Sequence, residues 1–162
     1  MASVVEAHQA RNGYTTCMWH NLIACKVIYD KDGRLEAAKK RFNVPYPQQL
    51  KQNIIDRNMQ LLHTAMPAYE VQIAKAIKRN DIISINHRVA AFMESYFDVI
   101  FAVNELTHPG EKRLIQICRE SCKILPAYFE ENLNKLFEDL FLRKDSVAED
   151  LANIIGRLQE II

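Results

Sequence analysis

Apolar positions recur every three or four residues through most of this chain, the period of an amphipathic helix. The clearest run is Ile82, Ile85, Val89, Phe92, Tyr96, Val99 and Val103, after an Asp81 placed to cap it, and it predicts a helix from 81 to about 106. Gln48–Met66 carries Leu50, Ile54, Ile55, Leu61 and Leu62, and Pro67–Asn80 carries Val71, Ile73, Ala74 and Ile77. Pro67 either kinks one long helix there or starts a second. Pro109 fits the first turn of the next helix, which carries Leu114, Ile115, Ile117, Cys118, Cys122 and Leu125 until Pro126 interrupts or ends it. Tyr128–Leu142 follows, and Ser146-x-x-Glu149 has the spacing of a capping box before Val147, Leu151, Ile154, Ile155, Leu158 and Ile161.

The first 44 residues read differently. A short or frayed helix over Ala2–Arg11 ends at Asn12-Gly13, and "CMWHNLIA" suits a second helix. "KVIYD", Lys26–Asp30, is β-prone, Lys31-Asp32-Gly33 is a turn signal, and "RLEAAKKRF" suits a short helix. A lone strand must satisfy its backbone groups elsewhere, so it pairs with another chain or belongs to a sheet not present here. "VPYPQQL", with Pro45 and Pro47, marks a boundary. The expected architecture is all-α: an antiparallel bundle of about six helices over 45–162, with an appendage over 1–44 containing one candidate strand. No internal repeat or low-complexity tract appears.

Composition agrees with that picture. Only 4 Gly and 5 Pro in 162 residues favour long helices over many short strands. A formal net charge of +1 gives no global pull towards nucleic acid or anionic membrane. The chain has no apolar run of 18 residues and no cationic start followed by an apolar core, so neither a membrane span nor a secretory signal is expected. Cys17, Cys25, Cys118 and Cys122 lack zinc-ribbon spacing; reduced, partly buried cytoplasmic thiols are the expectation, and no metal.

Three groups of residues carry candidate chemistry. On the polar face of the 81–106 helix, His87, Arg88, Glu94, Ser95, Asp98 and Glu105 interleave with small Ala91 and Ala102. They suit a solvated face with intrahelical ion pairs, or one wall of a cleft. In "NELTHPGEKRL", Asn104–Leu114, Lys112 and Arg113 fall in the expected first helical turn, where positive charge opposes the dipole. An anion bound at the helix start gives both cations a purpose; pairing with Glu111 or Asp98 is the plainer account. Arg57 and His63 in "RNMQLLH" have the R-x4–6-H spacing of HEPN-type ribonucleases, although that motif lies late in its own bundle. The five His have no ligand spacing, and neither a phosphate-cradling Gly-rich loop nor G-x-S-x-G occurs.

"VIYDKDGRLEAAKKRFNVPYPQQL" resembles the end of the catalytic core in bacterial proteins of the kanamycin/aminoglycoside nucleotidyltransferase type, and "SYFDVIFAVNELTHPGEKRL" resembles their helical C-terminal domain, catalogued as of unknown function. The resemblance spans about residues 26–126. It implies that "KVIYD" is the last strand of a sheet whose other strands are missing. It implies a domain that walls the cleft, with Asn104 and Lys112 facing the nucleotide phosphates or the acceptor, and Glu94 and Asp98 facing an acceptor hydroxyl or amine. The family signature, Gly-Ser followed by Asp-x-Asp, is absent; Asp30-Lys31-Asp32 lies in a turn instead. Activity from this chain alone is therefore not expected. Magnesium and a nucleoside triphosphate are implied only when it is joined to a catalytic domain. The candidate binding residues are Arg88, Glu94, Asp98, Asn104, Lys112 and Arg113. The expected partners are a nucleotidyltransferase catalytic domain or a second copy of the chain, with a small-molecule acceptor. A helical protein-interaction or dimerisation module is the alternative, and a HEPN-type ribonuclease a third.

Overall fold

The computed structural model describes residues 1–142 and 146–162. Its elements, in chain order, are α1 (Ala2–Val5), α2 (Cys17–Ala24), α3 (Arg34–Phe42), α4 (Gln48–Met59), a π-helical turn (Gln60–Thr64), α5 (Tyr69–Lys78), α6 (Ile82–Val103), α7 (Leu114–Ser121), α8 (Phe129–Leu142) and α9 (Val147–Gln159). The all-α expectation holds, and the described residues contain no strand.

α6 is the helix around which the others gather. Asp81 caps it by accepting from the Ser84 amide at 3.1 Å and the Ser84 hydroxyl at 2.6 Å. The cap satisfies an otherwise orphaned N–H at the helix start. α4 and α5 pack along α6, α5 touches α9, and α8 pairs with α9. Residues 95–103 of α6 are all buried, so this half of the helix has no solvated side. Helices buried all round need apolar residues on every face. Phe97, Val99, Ile100, Phe101, Ala102 and Val103 supply them, and Ser95 and Asp98 are the exceptions. The expected polar face is therefore split: His87 and Arg88 are exposed, whereas Ser95 and Asp98 lie in the core. Ile82, at the start of the expected apolar stripe, is 55% exposed.

Tyr96 and Phe97 carry the core to the C-terminal hairpin. The Phe129 ring stacks on Tyr96 at 6.4 Å and meets Phe97 edge-on at 6.1 Å. Lys135 then holds the hairpin by bonding Asp139 on its own helix and Asp150 on α9. Ser146 stands at the N-cap of α9, but its hydroxyl turns back to donate to Asp139 at 2.5 Å, so the expected capping box does not form.

Residues 1–44 share this core: Val4, Val5, Trp19 and Phe42 join the same apolar cluster as the bundle. Trp19 Nε1 donates to the Phe42 carbonyl at 2.8 Å, closing α2 onto the end of α3. Between them the expected strand is absent. Lys26–Asp30 is an irregular connection, and Asp30 Oδ2 accepts from the amides of Leu35 and Glu36, both at 2.9 Å. With no second strand to pair with, the backbone spends that carboxylate on starting α3, and Gly33 at φ +66° makes the bend. The first helix also stops early, at Val5.

Leu151 is fully buried on α9, whereas Met66 is fully exposed. Leu151→Ala is expected to lower the unfolding free energy by about 2–5 kcal/mol in urea denaturation. Met66→Ala should leave it near the wild-type value.

Candidate functional site

A buried polar network lies where the loop over 11–16 crosses α4 and α6. The Asp98 carboxylate accepts from the Thr15 amide at 3.1 and 3.2 Å and from Asn58 Nδ2 at 3.2 Å. The Asn58 side chain also donates to the carbonyls of Arg11 and Ile54 and accepts from the Gly13 amide at 3.0 Å. At the next residue, Thr16 Oγ1 accepts from the His108 amide at 2.8 Å. Thr15, Thr16, Asn58, Asp98 and His108 are each at most 3% exposed. The loop reaches α6 by a sharp bend, Gly13 at φ +80° and Tyr14 at φ +50°. A Cβ on Gly13 would stand 2.6 Å from the Glu94 Cβ, so this position needs glycine for space as well as for conformation.

Two titrating groups in the network are pushed in opposite senses. Burial lifts the Asp98 carboxyl to about 6, against the hydrogen bonds from Thr15 and Asn58 that favour its charged form. Among the described residues no cation pairs with it. Burial, and then the charge of His20, pushes His108 down to about 4. The neutral His108 ring accepts the Gly110 amide at Nδ1, 3.1 Å away, which places its proton on Nε2. That Nε2 is buried with no hydrogen-bond partner among the described residues. The ring sits edge-on to Tyr14 at 4.8 Å and to Phe101 at 4.9 Å.

Beside this network, Tyr14, Cys17, Asn21, Gly110, Glu111 and Lys112 line an open groove of about 400 Å³. The Tyr14 hydroxyl is held above its usual range by burial, with further contributions from Glu94 and Glu111. Burial raises the half-buried Glu94. The groove therefore gathers a phenol and one carboxylate around one lysine, with Glu94 behind Gly13, a mixed surface and not a cationic cradle.

The other candidates lie apart. Helix α7 starts at Leu114, not at Pro109, and Arg113 precedes it in the left-handed conformation at φ +54°. Lys112 and Arg113 thus belong to an exposed turn, and the expected cost of cations inside a first helical turn does not arise. The amide of Gly110, which an anion there would use, is already committed to His108. Asn104 stitches α6 to the end of α7: its Oδ1 accepts from Lys123 and Ile124, and its Nδ2 donates to the Ile100 and Ile124 carbonyls, at 2.8–2.9 Å. Its amide is fully used by backbone. Arg88 is exposed nearly two turns before Glu94. Arg57 donates to Asn12 and His63 bonds Glu70, so these two engage separate partners.

Thr15, Thr16, Asn58 and His108 were not singled out by pattern. Asn58 carried a usable signal, because it falls four residues after Ile54 on an apolar stripe. A polar residue there must find buried partners.

The fold and network define an all-helical domain with a buried polar hub and an open groove beside it. The family model described as "Domain of unknown function (DUF4037)" matches residues 14–114, and the chain belongs to that family. The match runs from the loop that carries Thr15 to the start of α7 and so includes Thr15, Thr16, Asn58, Asp98 and His108, though not Arg11 and Gly13. No curated protein and no solved structure matches the chain. Among the described residues no helix is long and apolar enough to cross a membrane, and no three His, Cys, Asp or Glu side chains gather in a metal-binding group.

Gly13→Ala is expected to cost about 1–3 kcal/mol, read from denaturant midpoints. An unchanged midpoint would mean that the loop does not hold its close approach to Glu94. The two titrations give a second test. The stabilising contribution of Asp98 is full below 3.8 and is lost as pH rises through about 6. That of His108 is full above 6.5 and is lost as pH falls towards about 4. The two slopes oppose each other between those limits. Asp98→Asn removes one of them, so on acidification from pH 6.5 to 4 the variant should lose about 2–3 kcal/mol more stability than wild type. Parallel pH profiles for the two proteins would show that Asp98 does not titrate in this window.

Proposed function

We propose that this chain is a helical, non-catalytic domain that docks onto a nucleotidyltransferase-type catalytic domain and contributes substrate contacts to the shared cleft. The observation that supports it most is the state of Lys26–Asp30. Ile28 is 93% exposed and Tyr29 78% exposed. Among the described residues no backbone hydrogen bond uses Lys26, Val27, Ile28 or Tyr29. A β-prone run with free amides and uncovered apolar side chains is a ready edge for joining another chain's sheet. The resemblance of "VIYDKDG" to the closing strand of a catalytic sheet gives that edge a partner.

Glu111 and the Tyr14 hydroxyl in the groove, with Glu94 beside Gly13 at its edge, suit an amine- or hydroxyl-bearing acceptor, by charge and by hydrogen bonding. Lys112 would meet a phosphate as a point charge. Asn104 and Asp98 support this surface from within, since their polar atoms are committed to backbone and to Asn58. The residues present do not fit a magnesium site. The Asp30 Oδ2 caps α3, and no group of three suitable side chains exists among those described. Metal chemistry falls to the catalytic partner on this reading.

A second reading has the same edge pairing with another copy of the chain. Affinity capture with the tagged chain from its own cells separates the two. A recovered protein carrying Gly-Ser followed by Asp-x-Asp, lost when Ile28 and Tyr29 are both changed to Asp, is the expected outcome. If capture survives both substitutions, the edge is not the dock. If light scattering of the pure chain shows a dimer that the same substitutions dissociate, the second reading replaces the first.

A further inference from the structure

Helix α7 enters none of the close helix pairs of the fold, which join α2 to α3, α4 and α5 to α6, α5 to α9 and α8 to α9. The space left between α6, α7 and α8 is an apolar groove of about 390 Å³. Buried Phe97 and Leu133 form its floor. Half-buried Met93, Leu114 and Ile115 form its sides, and Phe137, 39% exposed, its outer edge. Apolar walls that face water are a standing cost, and a groove of this size suits a small molecule with an apolar body.

The groove is not apolar throughout. Its two polar residues, Arg113 and Gln116, both lie at the start of α7, and no acidic side chain lines it. Arg41, Arg79, Arg119 and Arg157 each pair with a carboxylate, whereas Arg113 has no ion pair among the described residues. Arg11, Arg34 and Arg88 share that lack, but none of them lines this groove. Gln116 spends one amide N–H on Glu120 at 2.8 Å and keeps the other. The turn before α7 divides its two cations: Lys112 lines the groove beside Tyr14, and Arg113 lines this one.

We propose that the groove between α6, α7 and α8 binds a small amphipathic monocarboxylate of the medium-chain alkanoate class, with its chain against Met93, Phe97 and Phe137 and its carboxylate on Arg113. A guanidinium fork meets a carboxylate through two parallel N–H bonds, a match that needs no second cation. An uncharged lipid would leave Arg113 unused. A ligand charged at both ends would bring one charge over apolar walls, where nothing repays its lost hydration. The site needs neither a nucleotide nor a catalytic partner, so it stands apart from the groove beside Tyr14.

The test is calorimetric titration of the full chain with octanoate, 1-octanol and octylammonium at one ionic strength, three ligands with the same tail and a negative, neutral or positive end. Octanoate is expected to bind saturably and more tightly than the other two. In Arg113→Gln, at an exposed position, octanoate affinity should fall about tenfold, the worth of one charge-assisted contact, while octanol binds as before. Arg88→Gln should bind octanoate as wild type does. Phe137→Ala should weaken octanoate and octanol alike. Absence of saturable binding would overturn the proposal. So would equal affinity for the three ligands in wild type, or octanoate binding untouched by Arg113→Gln or by Phe137→Ala. A dimer in light scattering that Phe137→Ala dissociates would assign the groove to a second copy of the chain and overturn it too.

Discussion

A carboxylate taken out of water with no cation beside it is costly, and only well-placed donors make it tolerable. Among the described residues Asp98 is such a group, and the way the chain is assembled follows from its needs. Its donors cannot come from α6, whose amides are used within the helix. They come from the loop at 11–16, through the Thr15 amide, and from α4, through Asn58. Three segments far apart in sequence are thereby fixed to one another by a single side chain. Asn58 extends the arrangement by reading the loop at both the Arg11 carbonyl and the Gly13 amide. A hub of this kind selects one register of loop on helix, because a slip of one residue leaves the charge unpaired.

The hub also explains why the groove stands where it does. Once Thr15 is bound, Tyr14 must project to the side, and its ring closes on His108. His108 in turn holds Gly110 through the ring nitrogen. The groove walls are thus the outer surface of an internal hydrogen-bonded chain running from Asp98 to the 108–112 turn. Groups on that surface, Lys112 and Glu111 among them, are placed by buried atoms they never touch.

Much of the helical architecture was legible in the sequence, because periodicity reports burial of one face. The Asp81 cap and the stripe from Val89 to Val103 stand as expected. Where the pattern misled, the cause is tertiary. "KVIYD" carries strand propensity but meets no strand, and propensity without a partner yields an irregular connection. Pro109 suits a helix start, yet the His108–Gly110 contact delays α7 to Leu114. The Ser146 hydroxyl prefers a buried carboxylate to its own helix. The site was less legible than the fold. Asp98 and Glu94 were found as members of a polar face, but one of them sits in the core, because α6 is enclosed on all sides over 95–103. Neither Thr15 nor His108 has a local signature. Their roles arise from contacts across more than eighty residues.

Trp19 is the chain's single tryptophan, and its indole hydrogen-bonds the last residue of α3 while its ring lies against Tyr46 at 5.5 Å. It lies in the segment that Thr15 and Thr16 lead into, and at the opposite end of α2 from the exposed loop. The protein thus carries its tryptophan reporter on its N-terminal third and no tryptophan on its C-terminal hairpin. Detachment of the first third would dim or redden tryptophan emission while the hairpin contributed nothing to it, so tryptophan fluorescence and backbone dichroism would follow different parts of the same molecule.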